Sequence, residues 1–145
     1  MPFETPFPKD VFAGSITATV HEHGGIAPQT IIRTDQSWAV NVNWTNTGLA
    51  TGMIAGNYDL HLLLERMGPG DDLDLTDREV RDHEIPLRPG PEPIEYSKHV
   101  DIRAGIVPPG VYKLVVVLRY MESSGTPGPM SAYVETNSLL EFYTP

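Results

Sequence analysis

Apolar and polar positions alternate in short runs along this chain, with the period of two that belongs to strands with one buried face. The clearest run follows the turn Pro108-Pro109-Gly110. From Val111 to Tyr120 it is filled with β-branched and aromatic residues, as strands are. Tyr112, Leu114, Val116, Leu118 and Tyr120 share one face, which is predicted to be a core face. Val111, Val115 and Val117 lie on the other, among Lys113 and Arg119. A strand apolar on both faces is expected at the centre of a sheet, or under a cover.

The other runs are arranged around it. In Ser37 to Thr47, Trp38, Val40, Val42 and Trp44 face one way, and two Trp on one face bring large buried area. In Tyr58 to Met67, Tyr58, Leu60, Leu62 and Leu64 face in, while Asp59, His61, Leu63 and Glu65 face out. Gly14 to His23 is a half-buried strand carried by Ile16, Ala18 and Val20, and Gln29 to Thr34 is a short second one. Ile94 to Ile102 is in register except at Lys98, which predicts a bulge or an edge position. Met130 to Val134 and Ser138 to Tyr143 close the chain. Leu49 to Asn57 is an irregular crossover with room for one helical turn. Gly68 to Glu84 is acidic and is expected as a solvated loop, with a short strand near Val80 to Leu87. Residues 1–12 set Phe3, Phe7 and Phe12 among three prolines and predict an extended arm, packed on its own domain or, as the functional alternative, reaching a neighbouring subunit. The fold class expected is all-β: an antiparallel β-sandwich of about seven to nine strands over residues 13–145, behind that arm.

Three stretches resemble immunoglobulin-like and fibronectin type III-like bacterial modules. Trp38-x-Val40-x-Val42-x-Trp44 is similar to a strand C. Trp44-Thr45-Asn46-Thr47-Gly48 resembles the asparagine-glycine strand end of bacterial adhesion-type domains. Pro109-Gly110-Val111-Tyr112-Lys113-Leu114 resembles the entry to a strand F. The cysteine pair of antibody domains is absent. The resemblance implies adhesion, scaffolding or recognition, and no enzyme chemistry.

Charge narrows the partners. Ten basic residues against 19 acidic ones leave a net charge of −9. Such a surface repels phosphate backbones and anionic lipid, so neither nucleic acid nor membrane is an expected partner. With no cysteine, disulfides, thiolate metal sites and thiol nucleophiles are excluded. The N-terminal residues lack the basic and apolar regions of a signal peptide, which predicts a cytoplasmic protein, with special export as the minority case.

Candidate chemistry is sparse. His21-x-His23 would put two imidazoles on one side of a strand, a spacing that suits a metal, but no third ligand is evident; His83 and His99 are candidates by composition alone. Asp72 and Asp74 lie in an acidic run that could hold calcium, yet the sixth and twelfth positions counted from Asp72 are Asp77 and His83 rather than the Gly and Glu of an EF-hand. No Gly-x-Ser-x-Gly elbow and no phosphate-binding glycine loop occur. No cofactor is expected, and the chain is not expected to be an enzyme.

The hint that remains is apolar surface. Phe3, Phe7 and Phe12 of the arm, with Leu63, Val115 and Val117 on outward strand faces, are the expected interface residues. The expected function is a non-catalytic structural or protein-interaction sandwich that associates, above all with copies of itself. The alternative is a small-molecule or carbohydrate-binding module, calcium-assisted, with Tyr133, Tyr143 and the loop Met121 to Met130 as its contacts.

Overall fold

The computed structural model describes residues 3–22, 30–80, 83–135 and 139–145. Two sheets face each other across one hydrophobic core. The smaller sheet has three antiparallel strands, β2 (Ala13–Glu22), β4 (Trp38–Thr47) and β8 (Ile94–Ile102), in the order β2-β4-β8. The larger is built on β9 (Gly110–Met121), which pairs along its whole length with β5 (Asn57–Met67). Its other side pairs with β10 (Pro127–Glu135) over one half and with β11 (Leu140–Tyr143) over the other. The two-faced strand is therefore central, for the reason its sequence suggests: both of its edges and one of its faces are occupied.

Four short strands complete the larger sheet. β1 (Phe3–Glu4) pairs with β10, β3 (Ile31–Arg33) with β11, and β6 (Leu73–Asp74) and β7 (Glu84–Pro86) with the outer edge of β5. The β3–β11 pair is parallel, with Ile32 beside Phe142, so the sheet is mixed and the expectation of purely antiparallel pairing is corrected. The cause is the route of the chain. It leaves the small sheet after β2, lays three residues on the edge of the large sheet, and returns to the small sheet as β4.

The inward faces are those the alternation marks. Tyr58, Leu60, Leu62 and Leu64 of β5, Tyr112 to Tyr120 of β9 in alternation, and Trp38, Val40, Val42 and Trp44 of β4 are all buried. A single 3-10 turn, Thr51–Met53, fills the crossover after β4. Lys98 sits in unbroken register opposite Val42, and no described strand pairs with the far side of β8. Lys98 thus marks an edge and not a bulge; an inward-pointing charge on an edge strand discourages further pairing there.

One expectation is corrected by packing. The acidic segment is not a solvated loop but the cover of the β5 edge. The Leu62 N–H donates to the Thr76 hydroxyl (3.1 Å), the Leu75 N–H donates to the Leu62 carbonyl (2.9 Å), and the Leu60 N–H donates to the His83 carbonyl (2.8 Å). Leu75 and Val80, on either side of α1 (Thr76–Glu79), drop into the core. The Glu79 carboxylate, almost wholly buried, accepts from Arg103 Nε at 3.1 and 3.2 Å and ties α1 to the chain beyond β8. The aromatics of the expected arm are spent at home: Phe3 is 8% exposed and Phe12 0%, while Phe7 keeps 42%. Burial of this kind is worth about 1.5–3 kcal/mol per large apolar side chain, which holds the N-terminal residues down.

At the entry to β9 the Tyr112 hydroxyl donates to the Pro108 carbonyl at 2.9 Å, while Arg66 Nη1 donates to the same hydroxyl at 3.0 Å and Nη2 to the Pro109 carbonyl. Tyr112→Phe keeps the ring and removes the knot. It is expected to cost about 1–2 kcal/mol in urea unfolding, the cost of a lost hydrogen bond with its partners left behind. An unchanged midpoint would show that the corner contributes nothing to stability.

Candidate functional site

The outward face of β5, β9 and β10 carries apolar side chains on three adjacent strands. Register places its residues in rows across the strands. His61, Val117 and Tyr133 form one row; Leu63, Val115 and Glu135 form the next. Glu65 lies opposite Lys113, and beyond it Met67, Val111, Glu141 and Ile31 make a row across four strands. At the other end Asp59, Arg119 and Ser131 align. Leu63, Val115 and Val117 are half-buried by one another, whereas Tyr133 is 45% and Ile31 53% exposed. None of these residues belongs to the hydrophobic core cluster. Of the six expected interface residues, the structure brings together Leu63, Val115 and Val117, leaves Phe7 apart from them, and places Phe3 and Phe12 in the core.

Polar chemistry on the face gathers at Asp59. Its carboxylate meets His61 Nε2 at 2.9 Å and His83 Nδ1 at 2.5 Å, while Arg119 stands opposite it on β9. Lys113 Nζ lies 3.4 Å from Glu135. The Asp59–His61 pairing is readable in sequence as two polar side chains on the outward face of β5; the approach of His83 is not, because it depends on the cover of the β5 edge.

The metal candidates disperse. His21 is buried on β2 with Nε2 2.9 Å from the Thr19 hydroxyl, and His23 lies outside the described residues. His99 is on the outward face of the small sheet beside Asn41 and Asp101. Asp72 accepts from the Arg66 N–H and Asp74 from the Thr76 N–H, both at 2.9 Å, so each carboxylate shapes a turn of the edge cover. Among the described residues, no three His, Asp or Glu side chains are placed to hold one metal ion. The aromatics of the carbohydrate alternative also separate: Tyr133 and Tyr143 stand on β10 and β11, and Met130 is core. An open groove of about 500 Å³ runs along the free side of β8, lined by Ile85, Pro86, Arg88, Glu95, Tyr96 and Ser97. There the Arg88 guanidinium lies 4.7 Å above the Tyr96 ring and is already engaged with the Glu95 carbonyl.

No protein-family model matches the chain, and no curated protein matches it. Solved structures do. A protein assigned as ApaA from Bordetella pertussis is 15% identical, covering 93% of this chain and 98% of that one, with a TM-score of 0.46. A Niemann-Pick type C2 protein from the Japanese carpenter ant is 9% identical, covering 97% and 98%, also with a TM-score of 0.46. Likeness at this level carries neither a finer fold class nor an activity across to this chain. Among the described residues no helix is long and apolar enough to cross a membrane.

Proposed function

We propose that this chain is a non-catalytic β-sandwich of the immunoglobulin type that works by associating with protein, above all with further copies of itself, as a unit of a larger assembly. The observation that carries the reading is the outer face of the large sheet, where Leu63, Val115, Val117 and Tyr133 adjoin across three strands outside the hydrophobic core cluster.

Three features support the immunoglobulin type. The opening strand is split between sheets, as β2 and then β3. The remaining long strands then fall in the order expected of such a sandwich, with β2-β4-β8 in one sheet and β5, β9 and β10 in the other. A tyrosine at the start of β9 hydrogen-bonds back to the preceding corner. In that lettering the tryptophan strand β4 takes the second place, B, and not the C position its Trp-x-Val-x-Val-x-Trp pattern resembles.

Light scattering after size exclusion, over a wide dilution series, tests association. Concentration-dependent mass above the monomer is expected for the full chain and is expected to fall on Val117→Lys, which sets a charge amid the apolar rows at an outward position. A monomer at every concentration would overturn the reading.

A further inference from the structure

The two adjacent columns β5 and β9 carry outward side chains that complement each other row by row. From one end, β5 presents Asp59, His61, Leu63, Glu65 and Met67; opposite them β9 presents Arg119, Val117, Val115, Lys113 and Val111. Carboxylate faces cation in two rows and apolar faces apolar in two, with His61 beside Val117. This pattern has a symmetry consequence. A two-fold axis lying over the seam between β5 and β9, parallel to both, turns the face onto itself, keeps every row at its height and exchanges the columns.

We propose that the occupant of this face is a second copy of the chain, docked face to face about that axis. The proposal rests on the association reading above and specifies its interface. In such a pair Asp59 meets Arg119 of the second copy, Glu65 meets its Lys113, Leu63 meets its Val115, and Met67 meets its Val111. Each contact occurs twice, as an isologous interface requires. The His61–Val117 and Leu63–Val115 rows then lie between the two charged rows, with the Met67–Val111 row outside them.

Other placements fit less well. An axis over β9 itself sets Lys113 on Lys113 and Arg119 on Arg119. An axis across the strands at the level of Val116 sets Lys113 on Arg119 and Asp59 on Glu65. Of these three, only the seam placement sets no like charges on each other within the β5 and β9 columns, where His61 meets Val117. It leaves one like-charged meeting, Glu135 with Asp74 of the second copy, at the rim; Lys113 already bridges Glu135, and the Thr76 N–H holds Asp74. Sheets packed face to face cross at roughly −30°, which shifts rows about 10 Å from the centre by about 5 Å, within reach of Arg, Lys and Glu side chains but not of short ones. The Asp59–Arg119 row stands at one end of the seam, Leu63 and Val115 at its centre, Glu65–Lys113 one row beyond, and Met67 and Val111 at the other end. β5 and β9 at ~3.4 Å rise and ~4.8 Å spacing, with the shorter β10, β11, β6 and β7 on their flanks, give roughly 650 Å² per copy, somewhat under the ~800 Å² of a standard interface.

The test is a charge exchange at the Glu65–Lys113 row, which spares Asp59 and its two histidines. Glu65→Lys places lysines at both positions of the row, and Lys113→Glu places glutamates at both. Each variant alone is expected to sediment as a monomer where the unaltered chain is a dimer, with an unchanged circular dichroism spectrum. Mixed in equal amounts, the two are expected to recover the dimer, because every Lys then meets a Glu across the axis. Singles that remain dimeric, or folded monomers whose mixture stays monomeric, would overturn this interface while leaving association by another surface intact. If the unaltered chain is itself a monomer, the broader reading falls with it.

Discussion

Trp44→Ala is expected to lower unfolding stability by about 3–5 kcal/mol, the cost of emptying a large aromatic site in a core that relaxes only partly. Trp44 is 1% exposed. It stacks on Tyr96 with centroids 5.4 Å apart and meets Tyr58 edge-on at 5.7 Å, and Tyr58 in turn meets Phe3 at 6.2 Å. The indole therefore joins both sheets and the N-terminal strand in one cluster. For a chain of this size each kcal/mol moves Tm by roughly 2–4 °C, so a fall of about 10 °C is the expected size. Tyr143→Ala, on the exposed face of β11, is the control and should stay within about 0.5 kcal/mol. Trp44 Nε1 is buried and has no hydrogen-bond partner among the described residues. An unpaired buried donor is a standing cost of about 1–3 kcal/mol, so Trp44→Phe, which removes it while keeping an aromatic ring, should lose much less than the alanine variant. A Trp44→Ala loss below about 1 kcal/mol would mean that the cluster is not packed as described.

The same residues show why the strands could be read and the surroundings could not. Alternation names a strand's two faces without any knowledge of its neighbours. Hence the inward sets of β4, β5 and β9 are correct residue by residue, and Lys98, the one break in β8, points to the edge it occupies. What alternation lacks is the identity of the neighbour. Leu75 and Val80 stand among carboxylates, and only the unpaired edge of β5 makes that segment a cover. Phe3 and Phe12 between prolines fit an arm packed at home or one reaching out until β10 offers Phe3 a partner strand. β3 is three residues long, too short for a period to reveal that it crosses to the other sheet. The outward face was half legible. Leu63, Val115 and Val117 are conspicuous as apolar residues out of phase with a core, but that they touch, and that Asp59 gathers two histidines, follows only from register.

That register gives the face its proposed self-recognition, and it also limits where function can reside. The inner faces are occupied by core, the β5 edge is covered, and the β8 edge carries Lys98 and a committed Arg88. The outward face of the small sheet is lined by Thr17, Thr19, Asn41, Asn43, Thr45 and Ser97, which bring little apolar area. The outward face of β5, β9 and β10 offers Leu63, Val115, Val117 and Tyr133 to the proposed association, and exposed apolar side chains also stand at Phe7, Leu49 and Met53.

The second large effect is expected at alkaline pH. The Tyr58 hydroxyl is buried between the sheets and donates to Asn46 Oδ1 at 2.6 Å. Burial, with Tyr96 close by as the next cause, pushes its ionisation far above the ordinary phenol value of 10.0, although the bond to Asn46 acts in the opposite sense. Tyr120 is shifted the same way, by burial and then by Glu122. The direction for stability follows from proton counting. Above pH 10 the unfolded chain releases the Tyr58 proton while the native state keeps it, so the unfolded state binds fewer protons and stability falls as pH rises. The Tyr58 contribution is whole below the unfolded value and declines above it by about 1.4 kcal/mol per pH unit. Urea midpoints near pH 8 and near pH 11 should therefore differ by about 1–3 kcal/mol in the native chain. Tyr58→Phe should start lower at neutral pH by about 1–2 kcal/mol, since Asn46 is left without its donor, yet lose less on the way to pH 11. Parallel lines for the two proteins would mean that Tyr58 ionises as readily folded as unfolded, and that water reaches the seam between the sheets.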